Sequence, residues 1–306
     1  MFLNKLKQYK VALFLGFLAL TIVGCQHTDA VSPGSLRVDA QNFGVLENGF
    51  HYENWAIIDG APIPAGKFNV SADGRLITVD GAFITNNEFN VSGNLSRATA
   101  IVITIEPAGD TDTIPATTHY AVAAIANGTG TLSINNPNGV GTDFSTASGS
   151  YILATPTNGP DSNETSGIWF LDPAAGPATS LNLPNLTAGW VYEGWAVING
   201  VPVSSGRFTS VNGVDDFDGF SGPAGGPPFP GEDFLVNAPS GVTFPTDLSG
   251  APIVISVEPQ PDDSPAPFHL KPLIGATPSP AAPATLYRLD NMAMPSNLPT
   301  GFVTVK

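Results

Sequence analysis

A segment of twenty residues is written twice in this chain. Gly49-Phe-His-Tyr-Glu-Asn-Trp-Ala-Ile-Ile-Asp-Gly-Ala-Pro-Ile-Pro-Ala-Gly-Lys-Phe68 returns 140 residues later as Gly189-Trp-Val-Tyr-Glu-Gly-Trp-Ala-Val-Ile-Asn-Gly-Val-Pro-Val-Ser-Ser-Gly-Arg-Phe208, with ten of the twenty positions identical. Most other exchanges are like for like: Ile57 with Val197, Asp59 with Asn199, Ile63 with Val203 and Lys67 with Arg207. Repeats of solenoids are only about 20–50 residues long, so a period this large implies two whole homologous domains.

The correspondence extends outward. Ala100-Ile-Val-Ile-Thr-Ile-Glu-Pro107 reappears as Pro252-Ile-Val-Ile-Ser-Val-Glu-Pro259 at an offset of 152, so the second copy has gained twelve residues. The gain falls in the Asp-, Gly- and Pro-rich stretch Val214 to Gly231, which reads as an enlarged loop. The same offset aligns Gly149-Ser-Tyr-Ile-Leu153 with Gly301-Phe-Val-Thr-Val305, and Gly34-Ser-Leu-Arg-Val-Asp39 corresponds to Gly167-Ile-Trp-Phe-Leu-Asp172. The expected domains are residues 34–155 and 166–306, joined by a polar linker at 156–165.

Gly and Pro make up about a fifth of the chain, and charged residues only 12%. Apolar residues alternate rather than recur at helical spacing: Ile101, Ile103 and Ile105 share one face, and Ile253, Ile255 and Val257 repeat the pattern. Period two over short segments bounded by turn residues is the strand signature. The predicted fold is all-β, two tandem antiparallel β-sandwiches or partly closed barrels following a signal peptide. Asp59-Gly60 and Asn199-Gly200 predict tight hairpin turns, because both pairs tolerate positive φ. Trp55 and Trp195 are expected in the core.

Residues 1–24 carry Lys5, Lys7 and Lys10 before a thirteen-residue apolar run, Val11 to Val23. That run is short of the roughly 20 residues that span a bilayer and has the length of a signal-peptide core. It ends in Ile22-Val-Gly-Cys25, which resembles the lipobox of bacterial lipoproteins, and Cys25 is the sole cysteine. The resemblance implies cleavage before Cys25 and its acylation, including palmitate, with residues 25–33 as a tether. The bilayer would then be the first partner, and the location the cell envelope outside the cytoplasm. Gln26 after the cysteine implies the outer membrane where there is one. Eleven basic residues, less the three of the leader, face 26 acidic ones, leaving about −18 on the mature chain. Such a charge repels nucleic acid.

The pattern Tyr-Glu-x-Trp, a Pro/Gly turn, Gly-Lys/Arg-Phe and then a strand ending in Glu-Pro resembles the extracytoplasmic C-terminal domain of the anti-sigma-K factor family. Tyr52, Trp55, Gly60, Pro62, Gly66, Phe68, Glu106, Pro107, Ala108 and Gly109 fit it in the first copy. Tyr192, Trp195, Gly200, Pro202, Gly206, Phe208, Glu258 and Pro259 fit in the second, where Gln260-Pro261 replaces Ala-Gly. The resemblance implies an outward-facing sensory or binding domain. The helical sigma-binding region and membrane helix of that family have no counterpart here, so the expectation carries the fold and not sigma binding. A membrane or envelope protein is the expected partner, with a structural, adhesive or carbohydrate-binding envelope protein as the alternative.

Candidate site residues emerge from the repeat. Glu53 and Glu193 share a strand face with Trp55 and Trp195, and Lys67 and Arg207 lie across the turn, placed to form an ion pair. Glu106 and Glu258 precede proline at strand ends, and no histidine or second carboxylate is expected to recur beside them as an acid/base pair. Asp215, Asp216 and Asp218 form the densest acidic loop and are the candidate calcium ligands, although the EF-hand pattern fails. No other cofactor is expected. Gly219-Phe-Ser221-Gly222-Pro223 lacks the last glycine of a nucleophile elbow, and His27, His51, His119 and His269 are scattered, so no catalysis is expected.

Overall fold

The computed structural model describes residues 34–159, 162–174, 176 and 178–306. The leader, Cys25 and the tether lie outside these residues. Among the described residues there is no α-helix, and no helix is long and apolar enough to cross a membrane.

Twenty strands follow one another. The first repeat contains β1 (Gly34–Gln41), β2 (His51–Ile58), β3 (Ala61–Val70), β4 (Leu76–Ile77), β5 (Glu88–Val91), β6 (Ala98–Glu106), β7 (His119–Ala124), β8 (Thr129–Ser133) and β9 (Ser148–Leu153). The second contains β10 (Gly167–Trp169), β11 (Leu171–Asp172), β12 (Ala178–Thr179), β13 (Leu181–Asn182), β14 (Trp190–Ile198), β15 (Val201–Phe208), β16 (Gly231–Asp233), β17 (Pro252–Pro259), β18 (Leu273–Ala276), β19 (Tyr287–Asn291) and β20 (Thr300–Val305). The protein is all-β, as its alternation predicts, with one sheet curled into a half-barrel and the other nearly closed.

The sheets do not follow the repeat boundaries. The first runs β4-β3-β2-β6-β7-β8-β20-β1-β5 and the second β15-β14-β17-β18-β19-β9-β10-β16. Each repeat donates its last strand to the other repeat's sheet. Val303 of β20 stands opposite Val38 of β1, and Tyr151 of β9 opposite Tyr287 of β19. The main-chain bonds Lys306 N to Ser35 O (3.0 Å) and Ser35 N to Lys306 O (3.1 Å) fasten the carboxy-terminal end against the first strand. Residues 34–155 therefore describe a repeat and not a sheet. Neither sheet is complete without the other copy, and one apolar core runs through both.

The linker expected at 156–165 is partly built into the second sheet's surroundings. Thr157 is buried, and its main-chain N–H donates to Asp233 Oδ2 at 2.8 Å.

The duplicated hairpins position the polar side chains of both copies. Asp59-Gly60 and Asn199-Gly200 all adopt positive φ, between 52° and 84°, as the tight turn requires. Further from each turn the register slips, between Glu53 and Trp55 and between Gly194 and Trp195, and a bulge forms near Gly66 and Gly206. Both glycines have φ above +100°, and a Cβ there would collide with Phe89 in the first copy and with Asp215 in the second. Only glycine allows that approach.

Alternation sorts the strands as expected. Tyr52, Ala56, Ile101, Ile103 and Ile105 enter the main core, while Trp55 packs with Val102 and Val122 in a smaller cluster. Trp55 is thus wholly buried, on the face of the sheet turned away from the main core.

Candidate functional site

That second face carries a polar array present in both copies. Trp55 Nε1 donates to Thr104 Oγ1 at 2.8 Å, and the Thr104 hydroxyl donates to Glu106 Oε1. Glu106 also accepts from the main-chain N–H of Ala116 at 3.0 Å. In the second copy Trp195 Nε1 donates to Ser256 Oγ at 2.7 Å, Ser256 donates to Glu258 Oε1, and Phe268 N–H reaches the same oxygen at 2.9 Å. Each Trp therefore orients a hydroxyl, the hydroxyl holds a buried carboxylate, and the carboxylate caps the loop after its strand. The glutamates are structural anchors of that loop. The hydroxyls at 104 and 256 complete the chain, and their place two residues before each Glu-Pro glutamate was the available sequence signal.

Cross-strand pairing places Glu53 opposite Lys67 and Glu193 opposite Arg207. In the first copy the expected ion pair forms: Lys67 Nζ lies 3.4 Å from Glu53 Oε2 and 2.9 Å from Asp110 Oδ2. Burial pulls the Lys67 ammonium down, but Asp110 and Glu53 outweigh it and the net shift is upward. Burial pushes Asp110 up and Lys67 more than reverses this, so its carboxyl falls below the ordinary range. Glu53, almost fully buried, is raised by burial despite Lys67. Asp110 is thus the firmer partner, and its main-chain oxygen also accepts from Lys67 Nζ at 2.9 Å. Buried His51 stands beside them, with its pKa lowered by burial and by Lys67. His51, Glu53 and Asp110 each place a ligand atom within 4.8 Å of the others.

The second copy keeps the carboxylates and loses the cation. Glu193 and Asp262, the counterparts of Glu53 and Asp110, form a triangle with Glu258, again within 4.8 Å, while the place of His51 is taken by Val191. Arg207 turns instead to Asp216 in the enlarged loop, with Nε 3.1 Å from Asp216 Oδ2 and its main-chain N–H 2.8 Å from Oδ1. Glu193 accepts a hydrogen bond from Ser204, where the first copy has Pro64. Burial pushes Glu193 up to about 7 and Glu258 up to about 8, and the neighbouring Asp262 adds to both shifts. A second carboxylate therefore does recur beside each Glu-Pro glutamate, against the expectation from sequence: Glu53 feels Glu106, and Glu258 feels Glu193. In the second copy Asp262 joins them; its counterpart Asp110 stands at the same offset, masked in sequence by the change from Ala-Gly to Gln-Pro. Neither Glu193 nor Glu258 is more than 5% exposed, so the group offers no face to an organic substrate.

The acidic loop builds something different. Asp215 accepts from Gly231 N–H at 2.8 Å and from Phe217 N–H at 3.1 Å, Asp216 holds Arg207, and Asp218 is exposed. The three do not converge as calcium ligands, because two of them tie the loop to the sheet. Burial nevertheless pushes Asp215 up to about 6, and it pushes Glu232, whose Oε1 accepts from Ser221 at 2.6 Å, up to about 8. The loop arches over Trp169, whose Nε1 donates to Asp233 Oδ1 at 2.7 Å. It encloses an open cleft of about 360 Å³ bordered by Thr157, Trp169, Phe217, Asp218 and Phe229. Tyr52 and Tyr192 are buried, and their hydroxyls donate to Gly44 O and Pro184 O, so both are structural.

No family model, curated protein or solved structure matches the chain.

Proposed function

We propose that the chain is an extracytoplasmic lipoprotein, anchored to the bilayer through acylated Cys25, whose interlocked β domains serve as a non-catalytic binding or sensory module. One observation supports this reading most directly. The second copy has gained a segment that the shared fold does not need, and that segment walls a cleft of about 360 Å³. This is within the range of small-ligand sites, about 300–1,000 Å³. The loop is fixed to the sheet by Asp215 and Asp216, which leaves Asp218, Phe217 and the Gly225-Gly226 backbone to meet a ligand. The resemblance to anti-sigma-K extracytoplasmic domains supports the sensory half of the proposal.

The second reading is a carbohydrate-binding envelope protein. The combination of a carboxylate with aromatic Phe217 and Phe229 at one cleft favours it, since aromatic faces and acceptors suit sugar rings. The test has two parts. Palmitate labelling in cells should be lost in Cys25→Ser. Titration of the full chain with soluble envelope glycans should show saturable binding weakened by Phe217→Ala. Label retained in Cys25→Ser would sink the anchoring proposal. Glycan binding indifferent to Phe217 would sink the carbohydrate reading and leave a protein or peptide ligand.

A further inference from the structure

We propose that Glu193, Glu258 and Asp262 form a binding site for one calcium-sized divalent cation. Three observations carry it. The first is the pair of orphaned atoms: Glu193 Oε2 and Glu258 Oε2 have no hydrogen-bond partner, although these residues are 5% and 0% exposed. Ser204, Ser256 and Phe268 N–H engage only the Oε1 atoms, so each glutamate keeps one oxygen free. A buried carboxylate oxygen without a partner is costly.

The second is the internal comparison. At the corresponding place in the first copy the protein supplies its own cation, the Lys67 ammonium, 2.9 Å from Asp110 and 3.4 Å from Glu53. In the second copy Arg207 is held by Asp216, and its charge reaches Glu193 and Asp262 only at longer range. Lys271 is felt by Glu258 electrostatically and makes no ion pair within 4.0 Å among the described residues. Around the three carboxyls stand two distant cations, the Asp216 carboxylate, two serine hydroxyls and the Phe268 N–H.

The third is convergence. One oxygen of each carboxyl lies within 4.8 Å of the other two, close enough for a single cation to touch all three. An all-oxygen set suits Ca²⁺, which takes about six to eight oxygens in flexible geometry, whereas Mg²⁺ demands a near-ideal octahedron and gives up its waters reluctantly. Asp262, the partly exposed member, is the side from which an ion would arrive, and water would complete the coordination shell. The loop aspartates 215, 216 and 218 supply no ligand to this group.

Calorimetric titration of the full chain with CaCl₂ at pH 7.5, in two buffers of different ionisation heat, tests the proposal. One ion per chain is expected, with release of protons, because the carboxyls must ionise to ligate. Asp262→Asn should weaken binding at least about tenfold. Its calcium-free melting temperature should be unchanged or higher, because a like charge leaves the group. Glu193→Gln is the second variant and should weaken binding similarly. Absence of saturable binding would overturn the proposal, as would binding insensitive to both variants or lost instead in Asp218→Asn. Tighter binding of Mg²⁺ than of Ca²⁺ would overturn the assignment to calcium.

Discussion

Lys67 and Arg207 occupy equivalent positions, one opposite Glu53 and the other opposite Glu193, yet their charges go to different partners. Lys67 closes the carboxylate group of its own copy, whereas Arg207 leaves its group to hold the enlarged loop through Asp216. A single insertion after β15 thus does two things: it builds a cleft, and its Asp216 draws the internal cation away from the Glu193–Glu258–Asp262 group.

Stability should fall as pH rises. Glu193, Glu258 and Glu232 have folded pKa values of about 7, 8 and 8, all above the ordinary 4.5. A group raised on folding binds protons more tightly in the native state, so its contribution is complete below about pH 4.5 and is lost as pH climbs toward 8. Without divalent ions, the melting temperature at pH 8 should lie on the order of 5 °C or more below that at pH 5.5. Thermal scans by circular dichroism in a chelator check this. Glu258→Gln should flatten the profile, and a profile rising with pH would contradict the assignment.

The Trp–hydroxyl–Glu chains should be worth similar amounts in the two copies. Thr104→Val leaves Trp55 Nε1 and Glu106 each short of a partner in a buried setting, and Ser256→Ala does the same to Trp195 and Glu258. Each should cost about 2 kcal/mol, since orphaning a buried polar group costs roughly 1–3 kcal/mol. Urea unfolding measures it. The loss in Ser256→Ala should shrink at pH 5.5, where Glu258 is protonated.

The strand exchange has a covalent test. Arg37 and Thr304 are cross-strand partners, whereas the repeat alone would have paired residue 37 with Ile152. A short thiol cross-linker should join Arg37→Cys to Thr304→Cys within one chain and should not join Arg37→Cys to Ile152→Cys. Mass spectrometry of the digested product reads the outcome.

Much of the fold was legible because strands, turns and bulges are local. Alternation at Ile101–Ile105 separated the core face from the Trp55 face, and Asp59-Gly60 and Asn199-Gly200 announced their hairpins. The exchange of β9 and β20 was not legible, because strands of equivalent sequence fit either sheet and the choice rests on how residues 134–147 and 292–299 route the chain. At the site, the Glu53–Lys67 pair followed from counting across the turn. The recurrence of Asp110 as Asp262 was hidden in an offset that had to be carried past a changed dipeptide. The loop aspartates looked like ligands as a run, but their neighbours in space, Gly231 and Arg207, are distant in sequence and claim two of the three.

The two copies differ most consequentially at Lys67. Replacing it with Met removes the first copy's own cation and leaves Glu53 and Asp110 facing one another. At pH 7.5 without calcium this should cost about 3 kcal/mol, since stranding a buried charge costs roughly 3–5 kcal/mol and Lys67 is only partly buried. Calcium stoichiometry is the direct test. One ion per wild-type chain and two per Lys67→Met chain are expected, with the lost stability largely restored by calcium. The same stoichiometry in both proteins would contradict the equivalence of the two carboxylate groups.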